Sequence, residues 1–321
     1  MVRRCKHRFF SWHSRIAGCC IAITALLSVS CGTGIEVTER VTEKDVLKVI
    51  NQVDNRPQLK TLQTYADSVP AWKVGKRFWV ADNQARLLFA QSSDYDIDTV
   101  SFAGRVLTYD GYDMGGIYDN RNTVNLRFTD GNNLYVYRTG KTLDTFNSRF
   151  SIPMLIDMDM VEDVARQVTD KDFYIRTGIW YDRQSEKMID GRHFIKVHID
   201  KVLPGNAVLP LRVHFTALDT GGRAMVWMSE NVSTMLSRDF DALFVARNPR
   251  LDHPAISDEN WERITKSQVV LGMTKDECRL SLGNPVRISE NPDQGDLREY
   301  WYYDGGAYLF FIDGLLSQFR K

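Results

Sequence analysis

The chain has 321 residues, 43% of them hydrophobic, with 41 Lys and Arg against 41 Asp and Glu. Arg3, Arg4, Lys6, Arg8 and Arg15 fall in the first 30 positions and no acid does, so the rest carries 36 cations against 41 anions, a formal −5. That balance argues against a nucleic-acid binder, which needs clustered Lys and Arg, and supplies no polybasic patch for anionic lipid.

The opening stretch is basic, then apolar from Ile16 to Val29, then small and polar. This is the layout of a secretory signal over 1–30. The apolar run is shorter than the roughly 20 residues that cross a bilayer. Leu26-Leu-Ser-Val-Ser-Cys31 resembles a bacterial lipoprotein box, although Ser28 stands where an aliphatic residue is usual. The resemblance implies cleavage before Cys31 and membrane attachment through acyl chains, palmitate among them, on that residue. Gly32 is not the Asp that keeps enteric lipoproteins in the inner membrane, and no acidic export tag follows. The expected place is the periplasmic side of the cell outer membrane. Cys5, Cys19 and Cys20 leave with the signal, so Cys278 is the one thiol left and no internal disulfide is expected.

Residues 31–70 read as a lipidated tether and a helix. Thr42 and Asp45 form a capping box, and Val46, Val49, Ile50 and Val53 follow at helical spacing until Asn55-Arg-Pro57. Over 71–155 the period changes to two. Arg77–Val80, Ala85–Phe89, Thr99–Phe102, Arg105–Tyr109, Thr123–Phe128 and Leu134–Tyr137 read as strands, with Asp130-Gly131 as a hairpin turn. Residues 156–250 open with a helix over 157–169 carrying Val161, Val164 and Val168. A second β region then echoes the first. Asp172-Phe-Tyr-Ile175 matches Arg77-Phe-Trp-Val80, Asp190-Gly-Arg-His193 matches Ala103-Gly-Arg-Val106, and Leu211–Thr216 matches Val124–Thr129. The order is kept throughout, which points to a duplicated antiparallel module.

Residues 251–321 begin with a helix capped by Ser257. A second helix follows, with Thr274 and Glu277 as its capping box, Gly283 as a left-handed stop and Pro285 beyond. Glu299–Tyr303, Ala307–Ile312 and Leu315–Phe319 then read as strands joined at Asp304-Gly-Gly306 and Asp313-Gly314. The fold class is therefore α+β and mostly β: two related small antiparallel modules, then two helices and a meander.

Gly272, Thr274, Leu282, Gly283, Pro285, Trp301, Tyr303, Phe311, Asp313 and Gly314 resemble the pattern of the SmpA/OmlA-like lipoproteins of outer-membrane assembly. The likeness covers about 55 residues. It implies a two-helix, three-strand domain that works by contact, with envelope proteins such as the assembly machinery as partners.

The search for chemistry finds little. His193 and His198 sit at odd and even positions of one expected strand, so they cannot chelate together. Cys278 lies mid-helix among apolar positions and reads as a small core residue. Asp110–Asp113 and Asp119–Asn122 read as a solvated turn around Gly115-Gly116 rather than a calcium loop. No cofactor, no metal and no catalytic residue are expected. Asp67-Ser-Val69 and Asp98-Thr-Val100 resemble an O-glycosylation signal of some Bacteroidetes. Tyr300-Trp-Tyr-Tyr303 with Tyr308 and Phe310 forms an aromatic cluster, from which Trp301, Tyr303 and Tyr308 are taken as the binding residues. The function read from these features is a non-enzymatic, lipid-anchored envelope protein in outer-membrane assembly or maintenance. The alternatives are a glycan-binding lipoprotein of a polysaccharide uptake system and an unrecognised hydrolase.

Overall fold

The computed structural model describes residues 62, 67–89, 101–115, 122–147, 150–230, 238–293 and 296–320. They lie in a unit that runs from Lys60 to Lys321. The signal, Cys31, the helix after Thr42, Asp98-Thr-Val100, the first half of the strand read at Thr99–Phe102, and Gly116 with Asp119-Asn-Arg121 lie outside the described residues.

The described chain is mostly β, with antiparallel sheets of five, seven and four strands. The first sheet holds β1 (Arg77–Val80), β2 (Val106–Met114), β3 (Thr123–Thr129), β4 (Leu134–Thr142) and β5 (Leu155–Asp157), in the order β4-β3-β2-β1-β5. Its period-two pattern follows the sequence: Val124, Leu126 and Phe128 are buried while Asn125 and Arg127 face out. Asp130 anchors the β3–β4 turn by accepting the backbone N–H groups of Asn132 and Asn133.

Two readings change here. The stretch read as a strand at Ala85–Phe89 is instead a 3-10 turn, Asn83–Leu88. Asp82 accepts the Gln84 N–H at 2.7 Å, and the Asn83 side chain accepts the N–H groups of Phe102 and Ala103 at 2.8 Å. These short side chains hold the backbone locally and compete with a strand ladder. The acidic stretch from Asp110 to Asp113 is no solvated turn but part of β2. Asp110-Gly111 forms a bulge there, and Arg127 of β3 pairs with Asp110 and Asp113.

Helix α1 (Met158–Val168) starts directly from β5. Asp157, the last residue of β5, caps it by accepting the Asp159 N–H at 2.9 Å. Its stripe Met160, Val161, Val164 and Val168 is buried in the core of the second sheet. That sheet contains β6 (Asp172–Ile175), β7 (Ile179–Tyr181), β8 (Met188–Asp190), β9 (Lys196–Pro204), β10 (Leu211–Ala217), β11 (Arg223–Met228) and β12 (Phe244–Val245), with the short helix α2 (Phe240–Leu243) leading into β12. The order is β12-β6-β9-β10-β11-β7-β8. Only residues 176–178 separate β6 from β7, yet four strand steps lie between them. A flat sheet would need about 19 Å there, and the chain reaches about 14 Å, so the sheet must curl. Trp180 of β7 thereby folds onto the core, edge-on to Phe215 at 5.0 Å. Gly191 sits so close to the Trp180 ring that any Cβ there would clash.

The two sheets share one plan. Strands β4-β3-β2-β1-β5 of the first correspond to β11-β10-β9-β6-β12 of the second. The registers agree as well. Phe78 faces Leu107 as Phe173 faces Val197, and Tyr109 faces Phe128 as Ile199 faces Phe215. Val80 faces Leu155 as Ile175 faces Phe244. Both second strands bulge just after this point, at Asp110-Gly111 and at Asp200. The hairpin β7–β8 is an addition to the second sheet.

The register corrects one sequence match. Gly104 donates to the Val80 carbonyl at 2.8 Å, and the residue that does the same in the second sheet is Phe194, to Ile175, at 2.5 Å. Phe194, not Gly191, therefore stands in the place of Gly104. Both have positive φ, 84° for Gly104 and 60° for Phe194. A left-handed phenylalanine costs about 1–2 kcal/mol, and its side chain explains why it is kept.

That side chain meets the C-terminal part, formed by α3 (Asp258–Thr265), α4 (Lys275–Leu282), β13 (Arg287–Asp293), β14 (Asp296–Tyr302), β15 (Tyr308–Ile312) and β16 (Leu315–Arg320). Phe194 stacks on Trp261 of α3 at 5.7 Å, and Arg250 lies over the Trp261 ring at 5.2 Å. Beside it, Arg192 pairs with Glu262, and His193 Nε2 donates to the Leu280 carbonyl at 3.1 Å. We expect Phe194→Ala to be less stable than Phe194→Gly by about 1 kcal/mol. Both lose the ring, but only glycine relieves the backbone. Urea unfolding of the two variants checks this, and equal stabilities would sink it.

The C-terminal helices start as expected. Ser257 accepts the Asn260 N–H, and Thr274 and Glu277 close a full capping box. Gly283 ends α4 at φ 83°, but its ψ of −170° is extended rather than left-handed helical. The meander has four strands, not three. β13 escaped the reading because Ser289-Glu-Asn-Pro292 lacks apolar alternation and carries a proline, as edge strands do.

Candidate functional site

The sheet β13-β14-β15-β16 has two unlike faces, set by alternation along β14. Its inner face packs on the helices. Trp301, Leu309, Phe311 and Leu316 join Ile264, Met273 and Cys278 in one core. Trp301 is only 1% exposed. Its indole N–H donates to Glu299 at 3.1 Å, Phe311 lies 4.7 Å from its ring, and the Arg279 guanidinium sits 4.8 Å over it. Glu299, also buried, is held by Lys275 of α4. Tyr303 packs against the same core and donates its hydroxyl to the Gly283 carbonyl at 3.2 Å. Of the three aromatics chosen from the sequence, Trp301 and Tyr303 are thus placed on the core side.

Tyr308 is on the outer face, joined by Tyr300, Tyr302 and Phe310. None of the four belongs to any of the three cores. Register places them in two rows that cross the whole sheet. One row is Arg287-Tyr302-Tyr308-Arg320, the other Ser289-Tyr300-Phe310-Gln318. Tyr300 and Phe310 stack at 4.4 Å and 26°. The Arg287 guanidinium lies 4.2 Å over Tyr302, and Gln318 donates to the Tyr308 hydroxyl at 3.1 Å. The signal that finds Tyr300, Tyr302 and Phe310 was present in the sequence. They alternate with Trp301, Leu309 and Phe311, the more apolar set that the helices require.

The candidate chemical groups are engaged elsewhere. Burial pushes the Cys278 thiol up to about 12, with the Glu277 carboxylate adding to it, so no thiolate is present at neutral pH. His193 lies in the bend before β9, where burial lowers its pKa despite the Leu280 carbonyl. His198 on β9 contacts Asp172 at 2.9 Å. His214 is 5% exposed, and neither ring nitrogen has a hydrogen-bond partner. Burial, with Arg183, Arg212 and Lys201 around it, lowers its pKa to about 4. The shared register explains this orphan. His214 stands where Arg127 stands in the first sheet, next to the bulge. In the second sheet Arg183, from the added hairpin, reaches over to Asp200 and to the Phe215 and Ala224 carbonyls. Among the described residues no group of three or more His, Cys, Asp or Glu is placed to hold a metal ion, and no helix is long and apolar enough to cross a membrane.

No family model matches the chain, and no curated protein or solved structure does either.

Proposed function

We propose that this chain is a lipid-anchored protein of the cell envelope that acts by binding other proteins, with the outer face of its C-terminal sheet as the contact surface. The observation that carries this reading is the pair of aromatic rows on that face, outside every core. Tyrosine and arginine together are the residue types enriched where protein interfaces bind most strongly. The leader before Cys31 supports export and lipid attachment, and Gly32 supports the periplasmic side of the outer membrane. The helix–helix–meander order supports the SmpA/OmlA-like reading, and with it a part in outer-membrane assembly or maintenance. Strand β13, and the long stretch of chain before the domain, depart from that family. The shared plan of the first two sheets supports a duplicated module.

The glycan reading is weaker on this face. A pyranose needs an open ring face, and Tyr300 and Phe310 cover each other while Arg287 covers Tyr302.

Photo-crosslinking tests the proposal. Benzoylphenylalanine at Tyr308 in the full-length protein, illuminated in its own envelope, should give a protein adduct that Cys31→Ala weakens. Adducts to glycan or lipid alone would refute it.

A further inference from the structure

The row Arg287-Tyr302-Tyr308-Arg320 places one cation on each edge strand, with two tyrosines between. Three strand spacings separate its ends, about 14 Å. The row itself contains no carboxylate, and Glu290 and Glu299 fall on the helix side. The chain that follows the leader is acidic overall, so this row is a local inversion of its charge. A guanidinium stacked on a ring still presents its in-plane N–H fork, which suits a carboxylate.

We infer that the partner meets this face with an extended acidic segment, two carboxylates flanking an apolar side chain. This rests on the contact reading above and adds the chemistry of what is bound. In an extended segment lying along the row, residues i, i+2 and i+4 point the same way, and i to i+4 spans about 14 Å. The matching pattern is acid, any, apolar, any, acid. The two acids then meet Arg287 and Arg320, and the apolar side chain rests between Tyr302 and Tyr308.

The test is fluorescence anisotropy of labelled peptides with detergent-solubilised full-length protein. The core sequence is Glu-Thr-Leu-Thr-Glu. Its comparators carry Gln or Lys in place of both Glu, or place the two Glu only two positions apart. We expect the Glu peptide to bind about tenfold tighter than the Gln peptide, since two rim ion pairs contribute about that much together. The preference should fade as salt rises. Arg287→Glu with Arg320→Glu should reverse it toward the Lys peptide, with circular dichroism confirming the fold. Equal binding of the Glu and Gln peptides, or none up to millimolar concentration, overturns the inference. The crosslinking result separates the two levels. A protein adduct without a Glu preference removes the acidic partner and leaves the contact surface, whereas no protein adduct removes both.

Discussion

Lys76→Met should lower the stability of the fold by about 2 kcal/mol, the size expected when charge-assisted hydrogen bonds are lost but the carboxylates left behind still reach solvent. The Lys76 side chain is 6% exposed, and its ammonium lies 2.8 Å from Asp157 and 2.6 Å from Asp159. Burial alone would lower its pKa, but hydrogen bonds to Asp157 and Asp159 outweigh burial and raise it. The contribution is thus fully present below the ordinary lysine pKa and is lost only as pH rises through the raised value. The position matters because Asp157 is the joint between β5 in the first sheet and α1 on the second. Trp79, Ala81 and Ile156 cross the same junction into the second core. The loss should lower the melting temperature by roughly 4–8 °C in calorimetry. Adding Asp159→Asn to Lys76→Met should recover part of it, because one unpaired carboxylate is gone. A double variant no better than the single would point to lost packing of the lysine stem instead.

Asp130→Ala should cost somewhat more, about 3 kcal/mol. This one carboxylate accepts from Asn132, Asn133 and the Tyr135 hydroxyl, and pairs with Arg105 at 3.0 Å. The variant would open the β3–β4 turn and leave Tyr135 and Arg105 without their acceptor. Burial works against the charge, but the Asn133 and Asn132 backbone groups and the Tyr135 hydroxyl bring the pKa down to about 2. The folded value lies below the unfolded one, so the stabilisation is present above about pH 4 and disappears as pH falls through 2. Native protein should lose about 2 kcal/mol from this group over that window, and Asp130→Ala should lack that part of the acid slope. Denaturant titrations at pH 5, 4, 3 and 2 measure both. Parallel acid slopes for the two proteins would rule the account out.

The local features of the chain were legible because their causes are local. The Thr274–Glu277 capping box, the stripe Val161, Val164 and Val168, the Asp130-Gly131 turn and the alternation of β3 each need only neighbours a few positions away. The order of the repeated strands was legible too, since amphipathic runs keep their order even when their registers differ. What escaped depended on partners distant in sequence. Ala85–Phe89 has strand-like residues, yet Asn83 binds the backbone near Phe102 and turns it into a helix. Gly191 looked like Gly104 in sequence, but backbone pairing gave that place to Phe194, which the C-terminal part holds through Trp261.

The aromatic cluster shows where the boundary lies. By itself the sequence determined that Trp301 and Tyr303 share one face of a strand and Tyr300 and Tyr302 the other, because side chains alternate along an extended backbone. Only the tertiary structure decided which face is covered. Helices α3 and α4 pack on the side where Trp301, Leu309 and Phe311 offer the larger apolar area and where Lys275 can neutralise the buried Glu299. Tyr300, Tyr302, Tyr308 and Phe310 are left outside that core. Alternation is a property of one chain segment, whereas burial depends on which distant segment comes to lie on it.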